Sequence, residues 1–306
     1  MEWRVTKMKK KIGFIGLGIM GRPMSKNLLK AGFSLVVFDM NKAAVEDVAE
    51  GGAETAGSSR EVAERTEIII TMLPDSPEVK EVILGKGGVI EGIKPGAVVI
   101  DMSSINPLVS QEIAKLLKSK GVEMLDAPVS GGEPMAIQGT LSIMVGGDEK
   151  LFNECFEILK PLGKNIVYVG GIGAGGFTKL CNQIIVALNI AALGEALTLG
   201  TKAGLDPKVI FQAIHGGLAG STVMEAKVPM IVEGNFKPGF RIKLHYKDLN
   251  NALSTAKDLG VFLPLSGFVQ QILVALMTEG QGEADHSAIA TFFEKISGVE
   301  IRSKKG

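Results

Sequence analysis

A lysine and two amides stand at the start of the most apolar stretch of the chain. Lys179 precedes Asn182 and Gln183 by three and four residues, which sets all three on one face of a helix. An unpaired charge buried in a core is costly, so a polar cleft is the natural place for this group. Reducing a carbonyl by hydride leaves an alkoxide that needs a proton, and a lysine ammonium can donate it. The helix alone leaves a second reading open, in which Lys179 lays its stem along apolar surface and keeps its charge in water.

A second group is suited to binding. Gly16-Leu17-Gly18-Ile19-Met20-Gly21 directly follows the apolar run 11–15. Gly16 permits a tight turn, Gly18 lets a pyrophosphate approach the backbone, and Gly21 lets helix and strand pack closely. A helix is predicted over residues 22–31, ended by Gly32, with its unpaired N–H groups facing the phosphates. A strand over 34–38 then closes on Asp39, 18 residues past Gly21. An acid there accepts from both adenine-ribose hydroxyls and repels a 2′-phosphate. Strand, glycine turn, helix, strand and acid together make a dinucleotide-binding unit that prefers NAD(H). NADP(H) is accommodated if Lys42 swings to a phosphate, although Lys42 reads first as a solvated helix charge.

The third group is Asp126-Ala127-Pro128-Val129-Ser130-Gly131-Gly132. Consecutive glycine N–H groups can form an anion-binding concavity, and Ser130 adds a hydroxyl. That suits a small carboxylate, although an ordinary Ser-Gly-Gly turn uses the same residues. The charges over 235–248, Lys247 among them, read on their own as a solvated face. His215, His245 and His286 have no metal spacing and read as surface or structural residues. Cys155 and Cys181 show neither metal nor redox spacing, and Cys181 reads as a small buried filler in preference to a reactive thiol. No metal site is expected.

The elements that must position these residues alternate. Strands are predicted at 68–71, 98–101 and 123–126, with a helix over 107–120. The loops carrying Leu73 and Pro74, Ser103, and Ser130 all leave carboxyl ends of strands, where open α/β sheets bind their ligands. Strands at 141–145 and 166–169, flanking a helix over 149–162, extend the sheet. Beyond Val169 the strand signals give way to helices broken near Pro207, Gly216, Pro238 and Pro264. The fold class is α/β, a Rossmann-type doubly wound sheet (1–170) followed by an all-α C-terminal domain (171–306). The glycine-dense run 170–176 is expected to be unable to hold a helix, so the long helix is predicted over 177–202.

Composition narrows the function. With 306 residues, 46% hydrophobic and 22% charged, the chain reads as an ordinary globular protein of two domains. Zero net charge supplies no field for nucleic acid or an anionic membrane, and 5% aromatics give no base-stacking platform. The apolar run 184–193 is interrupted by Asn189 and is shorter than the ~20 residues of a bilayer span, so a buried helix is expected there. The basic segment 1–11 lacks the apolar core of a secretory signal, Met8 is an alternative start to Met1, and two thiols without a framework suit a reducing cytoplasm.

These motifs, in this order, resemble the β-hydroxyacid dehydrogenases, the family that includes the 3-hydroxyisobutyrate dehydrogenases. The cofactor motif is matched over 13–24, the substrate motif over 126–132, and the catalytic motif over 170–183 with Lys179 in the lysine place. Gly131-Gly132-Glu133-Pro134, the block 216–223, the block 235–241 and Ala284-Asp285-His286-Ser287-Ala288 look like the tartronate semialdehyde reductase branch. Many family members carry Asn four residues after the lysine; here Gln183 holds that place and Asn182 precedes it, as in that branch.

The resemblance implies NAD(H) along 13–27, Ser103 beside the nicotinamide ribose, Lys179 as acid/base, and Lys247 as a further ligand contact. It implies a small 3-hydroxy acid or semialdehyde as substrate and a homotetramer, with a dimer as the alternative. Reversible reduction of tartronate semialdehyde to D-glycerate is the expected reaction. Oxidation of 3-hydroxyisobutyrate and reduction of glyoxylate or succinic semialdehyde are its neighbours. A catalytically silent cofactor-binding protein on the same fold would be expected to lack the lysine.

Overall fold

The structure, a computed structural model, describes residues 11–303. The expectations about a signal and an alternative start fall on residues 1–10 and lie outside them. The described chain forms two compact units, the first ending at Lys179 and the second beginning at Leu180.

The first unit is built on one nine-stranded sheet. Its parallel part comprises β1 (Ile12–Ile15), β2 (Leu35–Phe38), β3 (Glu54–Thr55), β4 (Ile68–Thr71), β5 (Val98–Asp101) and β6 (Glu123–Asp126), in the order β3-β2-β1-β4-β5-β6. These strands are near-continuous apolar runs because helices cover both faces. On one face Phe14, Val37 and Ile70 pack with Met24 and Leu28 of α1 (Gly21–Lys30). Also on the sheet's helical layers are α2 (Lys42–Ala49), α3 (Ser59–Arg65), α4 (Ser76–Leu84), α5 (Val89–Gly92) and α6 (Pro107–Lys118). On the opposite face Val36, Ile69 and Val99 meet Val62 of α3 and Ile113 and Leu117 of α6.

The last residues of the parallel strands form a single register row. Phe38, Ile15, Thr71, Asp101 and Asp126 are neighbours across the sheet in that order. Each is followed by a segment the sequence marks for function: Asp39, Gly16, Leu73, Ser103 and Ser130. The row is therefore the line along which these candidate residues follow one another.

Past Asp126 the sheet departs from the expected parallel pattern. The chain stays extended through β7 (Val129–Ser130), turns through α7 (Gly132–Gln138), and returns as β8 (Leu141–Gly146), antiparallel to β6 and β7. The helix of seven residues spans only about 10 Å, too little to carry the chain back along the sheet for a parallel crossover. After α8 (Glu149–Leu159), β9 (Gly163–Gly170) lies parallel to β8, so the sheet is extended but mixed.

The long helix α9 (Ala174–Lys202) starts inside the glycine run, not after it. Gly175 and Gly176 sit in its first turn, where peptide N–H groups have no partner within the helix and need outside acceptors. A Cβ at Gly175 would lie 2.4 Å from the Met144 carbonyl oxygen, so this turn packs directly on the sheet. Close packing overrides the poor helix propensity of glycine here.

The second unit is helical: the rest of α9, then α10 (Pro207–Ile214), α11 (Thr222–Glu233), α12 (Ile242–Leu259), α13 (Pro264–Thr278) and α14 (Ile289–Ser297). Ala187 and Ile190 of α9 pack with Leu249, Ile272 and Ile289, while Leu193 and Leu197 pack with Val228 and Ile231. By length and composition α9 is long and apolar enough to cross a membrane. Those four residues are instead spent on the cores of this unit, Ile190, Leu193 and Leu197 contributing about 1.5–3 kcal/mol each. Cys155 is buried, but Cys181, expected to be a buried filler, is exposed. It shares a helix face with Ile185, four residues on, which is 59% exposed.

Candidate active site

The glycine turn has the stereochemistry its sequence requires. Gly16 has φ +95°, and a Cβ on it would stand 2.3 Å from the Met72 carbonyl oxygen. A Cβ on Gly21 would come within 1.9 Å of the Gly16 carbonyl oxygen. Gly18 is the opposite case: nothing lies within 4 Å of a Cβ there, so its outer side is open space that a ligand can fill. Exposed Ile19 and half-buried Met20 complete the turn.

Asp39 is tied to this turn. The Leu17 N–H donates to its Oδ2 at 2.6 Å and the Asn41 N–H to its Oδ1 at 2.7 Å. A carboxylate offers about four lone-pair positions, so about two remain for ribose hydroxyls. Lys42 is exposed. The loops after β4 and β5 are also joined, since the Leu73 N–H donates to Ser103 Oγ at 2.9 Å. Ser103 is held in turn by Asp101, whose Oδ1 accepts from the Ser103 N–H at 3.1 Å and from Thr71 Oγ1 at 2.8 Å. Pro74 follows Leu73 on the exposed side of that loop.

Ser130, in β7, pairs with Ser142 of β8, and Gly131 and Gly132 follow with φ of +136° and +66°. A side chain is disfavoured in both conformations. Asp126, which opens this segment, is 2% exposed and reaches the start of α9. Its Oδ1 accepts from the Gly173 N–H at 2.7 Å and its Oδ2 from the Gly176 N–H at 2.8 Å. Burial pushes the Asp126 carboxyl up to about 6; the Gly176 and Gly173 donors oppose the rise, and the charge of Asp101 adds to it. Lys179, one turn further along α9, is 7% exposed, so nearly all of its side chain is out of solvent.

The remaining candidates lie in the second unit. Gln183 is 4% exposed and its amide is engaged at both ends: Nε2 donates to Asp248 Oδ2, and Oε1 accepts from Asn182 Nδ2 at 2.8 Å. Asp248 Oδ1 is 2.9 Å from Lys247 Nζ, so Asn182, Gln183 and Lys247 belong to one hydrogen-bonded group. His245 and His286 join it: His245 Nε2 is 3.2 Å from the Gln183 carbonyl oxygen, and its Nδ1 is 2.9 Å from Nδ1 of His286. Both rings are buried, whereas His215 is exposed. Sequence reasoning missed Asp248 and the histidine pair. The available signal was spacing, since Ile242, His245, Asp248 and Leu249 recur on one face of α12 and all are buried.

Comparison with known proteins decides the family. Residues 11–170 match the NAD binding domain of 6-phosphogluconate dehydrogenase. Residues 173–293 match the NAD-binding domain of NADP-dependent 3-hydroxyisobutyrate dehydrogenase. The chain is 45% identical to the 2-hydroxy-3-oxopropionate reductase of Escherichia coli, covering 95% of this chain and 99% of that protein. The chain belongs to the β-hydroxyacid dehydrogenase family. It is a nicotinamide-dependent oxidoreductase acting on the CH–OH group of hydroxy acids. The 2-(hydroxymethyl)glutarate dehydrogenase of Eubacterium barkeri is 41% identical, covering 95% of this chain and 97% of that protein. The solved structure of Mycobacterium tuberculosis 3-hydroxyisobutyrate dehydrogenase with L-serine has a TM-score of 0.87 at 32% identity, covering 93% of this chain and 99% of that one.

Proposed function

We propose that this β-hydroxyacid dehydrogenase reduces tartronate semialdehyde (2-hydroxy-3-oxopropanoate) to D-glycerate, reversibly and with NADH preferred over NADPH. The observation that carries the substrate is the 45% identity, over 95% of the chain, to a 2-hydroxy-3-oxopropionate reductase. The open space at Gly18 and the two remaining acceptor positions of Asp39 fit a dinucleotide. Gly16 to Gly21 would cradle its pyrophosphate, Asp39 its adenine ribose, and Leu73, Pro74 and Ser103 would lie beside the nicotinamide ribose, with Lys247 as a further contact. Bound NADH supplies the hydride that adds to the aldehyde carbon.

Lys179 gives its ammonium proton to the oxygen that becomes the new hydroxyl and takes it back in the oxidative direction. Its burial keeps bulk water from serving as the proton source. Ser130, Gly131 and Gly132 hold the substrate carboxylate, and Asn182 and Gln183 orient the substrate, Gln183 with its amide already fixed by Asp248. The enzyme is assigned to the cytoplasm as a homotetramer, with a dimer as the alternative that light scattering would reveal.

The deciding experiment is kcat/KM for reduction of tartronate semialdehyde, succinic semialdehyde, glyoxylate and methylmalonate semialdehyde (the aldehyde that oxidation of 3-hydroxyisobutyrate gives), each with NADH and with NADPH. Tartronate semialdehyde with NADH is expected to rank first. A higher kcat/KM on any other member of the panel refutes the substrate, and a higher one with the phosphorylated cofactor refutes the preference.

A further inference from the structure

We propose that Asp126 is a positioning residue: its carboxylate locks the first turn of α9, and so Lys179, onto the strand that runs into the Ser130 turn. The inference rests on the reading of Lys179 as proton donor. Its ground is a clamp of two hydrogen bonds, from Gly173 and Gly176, on one buried side chain. Two glycines leave room for it. A Cβ on Gly146 would lie 2.4 Å from Asp126 Oδ1, and one on Gly175 2.5 Å from the Asp126 carbonyl oxygen and 3.0 Å from Oδ2. Lys179 follows Gly176 by three residues, about 4.5 Å along the helix. In the other direction the chain reaches Ser130 in four residues, pinned to β8 throughout by the Met144 N–H to the Pro128 carbonyl and by the pairing of Val129 and Ser130. One side chain thus fixes the proton donor relative to the residues assigned to the substrate carboxylate, and a misplacement of ~1 Å in such a pair can cost about 100-fold in rate.

A simple helix cap would not need this arrangement. Asp126 lies beside Asp101, another buried carboxylate, and its ionised form is held in the fold against its burial. Ionisation here opposes folding stability: the folded carboxyl keeps its proton to higher pH than the unfolded one, so stability falls as pH rises from about 4 to about 6. A neutral side chain would relieve that opposition. The charge is what makes both oxygens strong acceptors, because a proton on either one takes up a lone pair and weakens the hydrogen bond it accepts.

The test is Asp126→Asn in the full-length enzyme. The expected result is a fall in kcat of roughly 10- to 100-fold, an NADH Kd close to wild type, and thermal stability at pH 8 that does not fall with kcat. The kcat of the wild type is expected to decline on the acid side through about pH 6, and the variant to lack that limb. The titratable groups nearest Asp126 in the fold are Asp101 on β5, whose charge adds to the rise, and Lys179 on α9, three residues past Gly176, so the limb is read in Asp126→Asn against the wild type, both of which keep those two groups.

An unchanged kcat, or losses of kcat, NADH affinity and stability in step, overturns the inference. Should the variant not fold, the wild-type limb is followed at two temperatures. A carboxyl limb stays nearly in place, whereas one that moves as an imidazole does, or no limb at all, overturns the inference. Lys179→Ala separates the two levels: turnover in that variant sinks the reading of the reaction, whereas an essential Lys179 beside a wild-type-like Asp126→Asn sinks only this step.

Discussion

Asp39→Ala separates two contributions that one carboxylate makes. Toward the cofactor, each hydrogen bond from a ribose hydroxyl to a charged acceptor is worth about 1.5–3 kcal/mol, or roughly 10- to 150-fold in affinity. Toward the protein, the carboxylate satisfies the N–H of Leu17, a residue 1% exposed, and leaving such a donor without an acceptor costs about 1–3 kcal/mol. The second loss loosens the glycine turn and weakens NADH and NADPH alike. The first falls on NADH alone, because a 2′-phosphate meets repulsion from Asp39 rather than a hydrogen bond. Both Kd values should therefore be compared by fluorescence titration in wild type and variant. The ratio Kd(NADPH)/Kd(NADH) is expected to fall by about tenfold or more, with a smaller common loss in both. A ratio that does not move refutes the ribose assignment, whatever happens to the absolute affinities.

The other predictions concern single groups. Lys179→Ala should abolish turnover while leaving NADH binding nearly intact; stopped-flow reduction close to the wild-type rate would remove the lysine from the chemistry. Gly18→Ala should leave the melting temperature nearly unchanged and weaken NADH, whereas Gly21→Ala should destabilise the fold by about 1–3 kcal/mol or more, because its Cβ meets backbone. Equal effects of the two on stability would contradict the geometry. Asp285→Asn should cost about 3–5 kcal/mol in urea unfolding, because it leaves Lys227 with a broken, mostly buried pair. Burial alone would raise the Asp285 carboxyl, but the charges of His286 and Lys227 and the N–H donors of Ser287 and Phe240 hold it well below the usual range. Its stabilisation is therefore present above about pH 4 and lost as pH falls through the lowered value. The variant should show a flatter loss of urea midpoint over that acid window, and an unaltered slope would contradict this.

The parts of the site legible in the sequence are those where a backbone constraint selects one residue type. Gly16 and Gly21 stand where a Cβ would strike a carbonyl oxygen, and the segments after β1, β2, β4, β5 and β6 follow from the βα alternation. The reversal after Asp126 was not legible, because 127–130 reads as a loop and no turn residue announces that it stays extended along β8. Nor was the early start of α9. Glycine content argues against a helix at Gly175 and Gly176, and the opposing reason is packing against Met144 and Asp126, residues distant in the chain. The amide cluster shows the same limit from another side. Asn182 and Gln183 are visible as a helix-face pair, while the carboxylate that fixes Gln183 arrives from Asp248, 65 residues away.

The two buried histidines carry a consequence that can be counted in protons. A carbonyl oxygen only accepts, so the Nε2 of His245 that faces Gln183 must bear a hydrogen. In the uncharged ring its Nδ1 is then a lone pair, and the Nδ1 of His286, 2.9 Å away, must be the donor. The fold thereby selects one tautomer for the His245 imidazole, and between the rings there is room for a single hydrogen. A further one on His245 would set two donors head to head and push the rings apart at α12, the helix that also carries Lys247 and Asp248. The pair works as a one-hydrogen lock, and nitrogen chemical shifts of the two rings would read which of them holds the key.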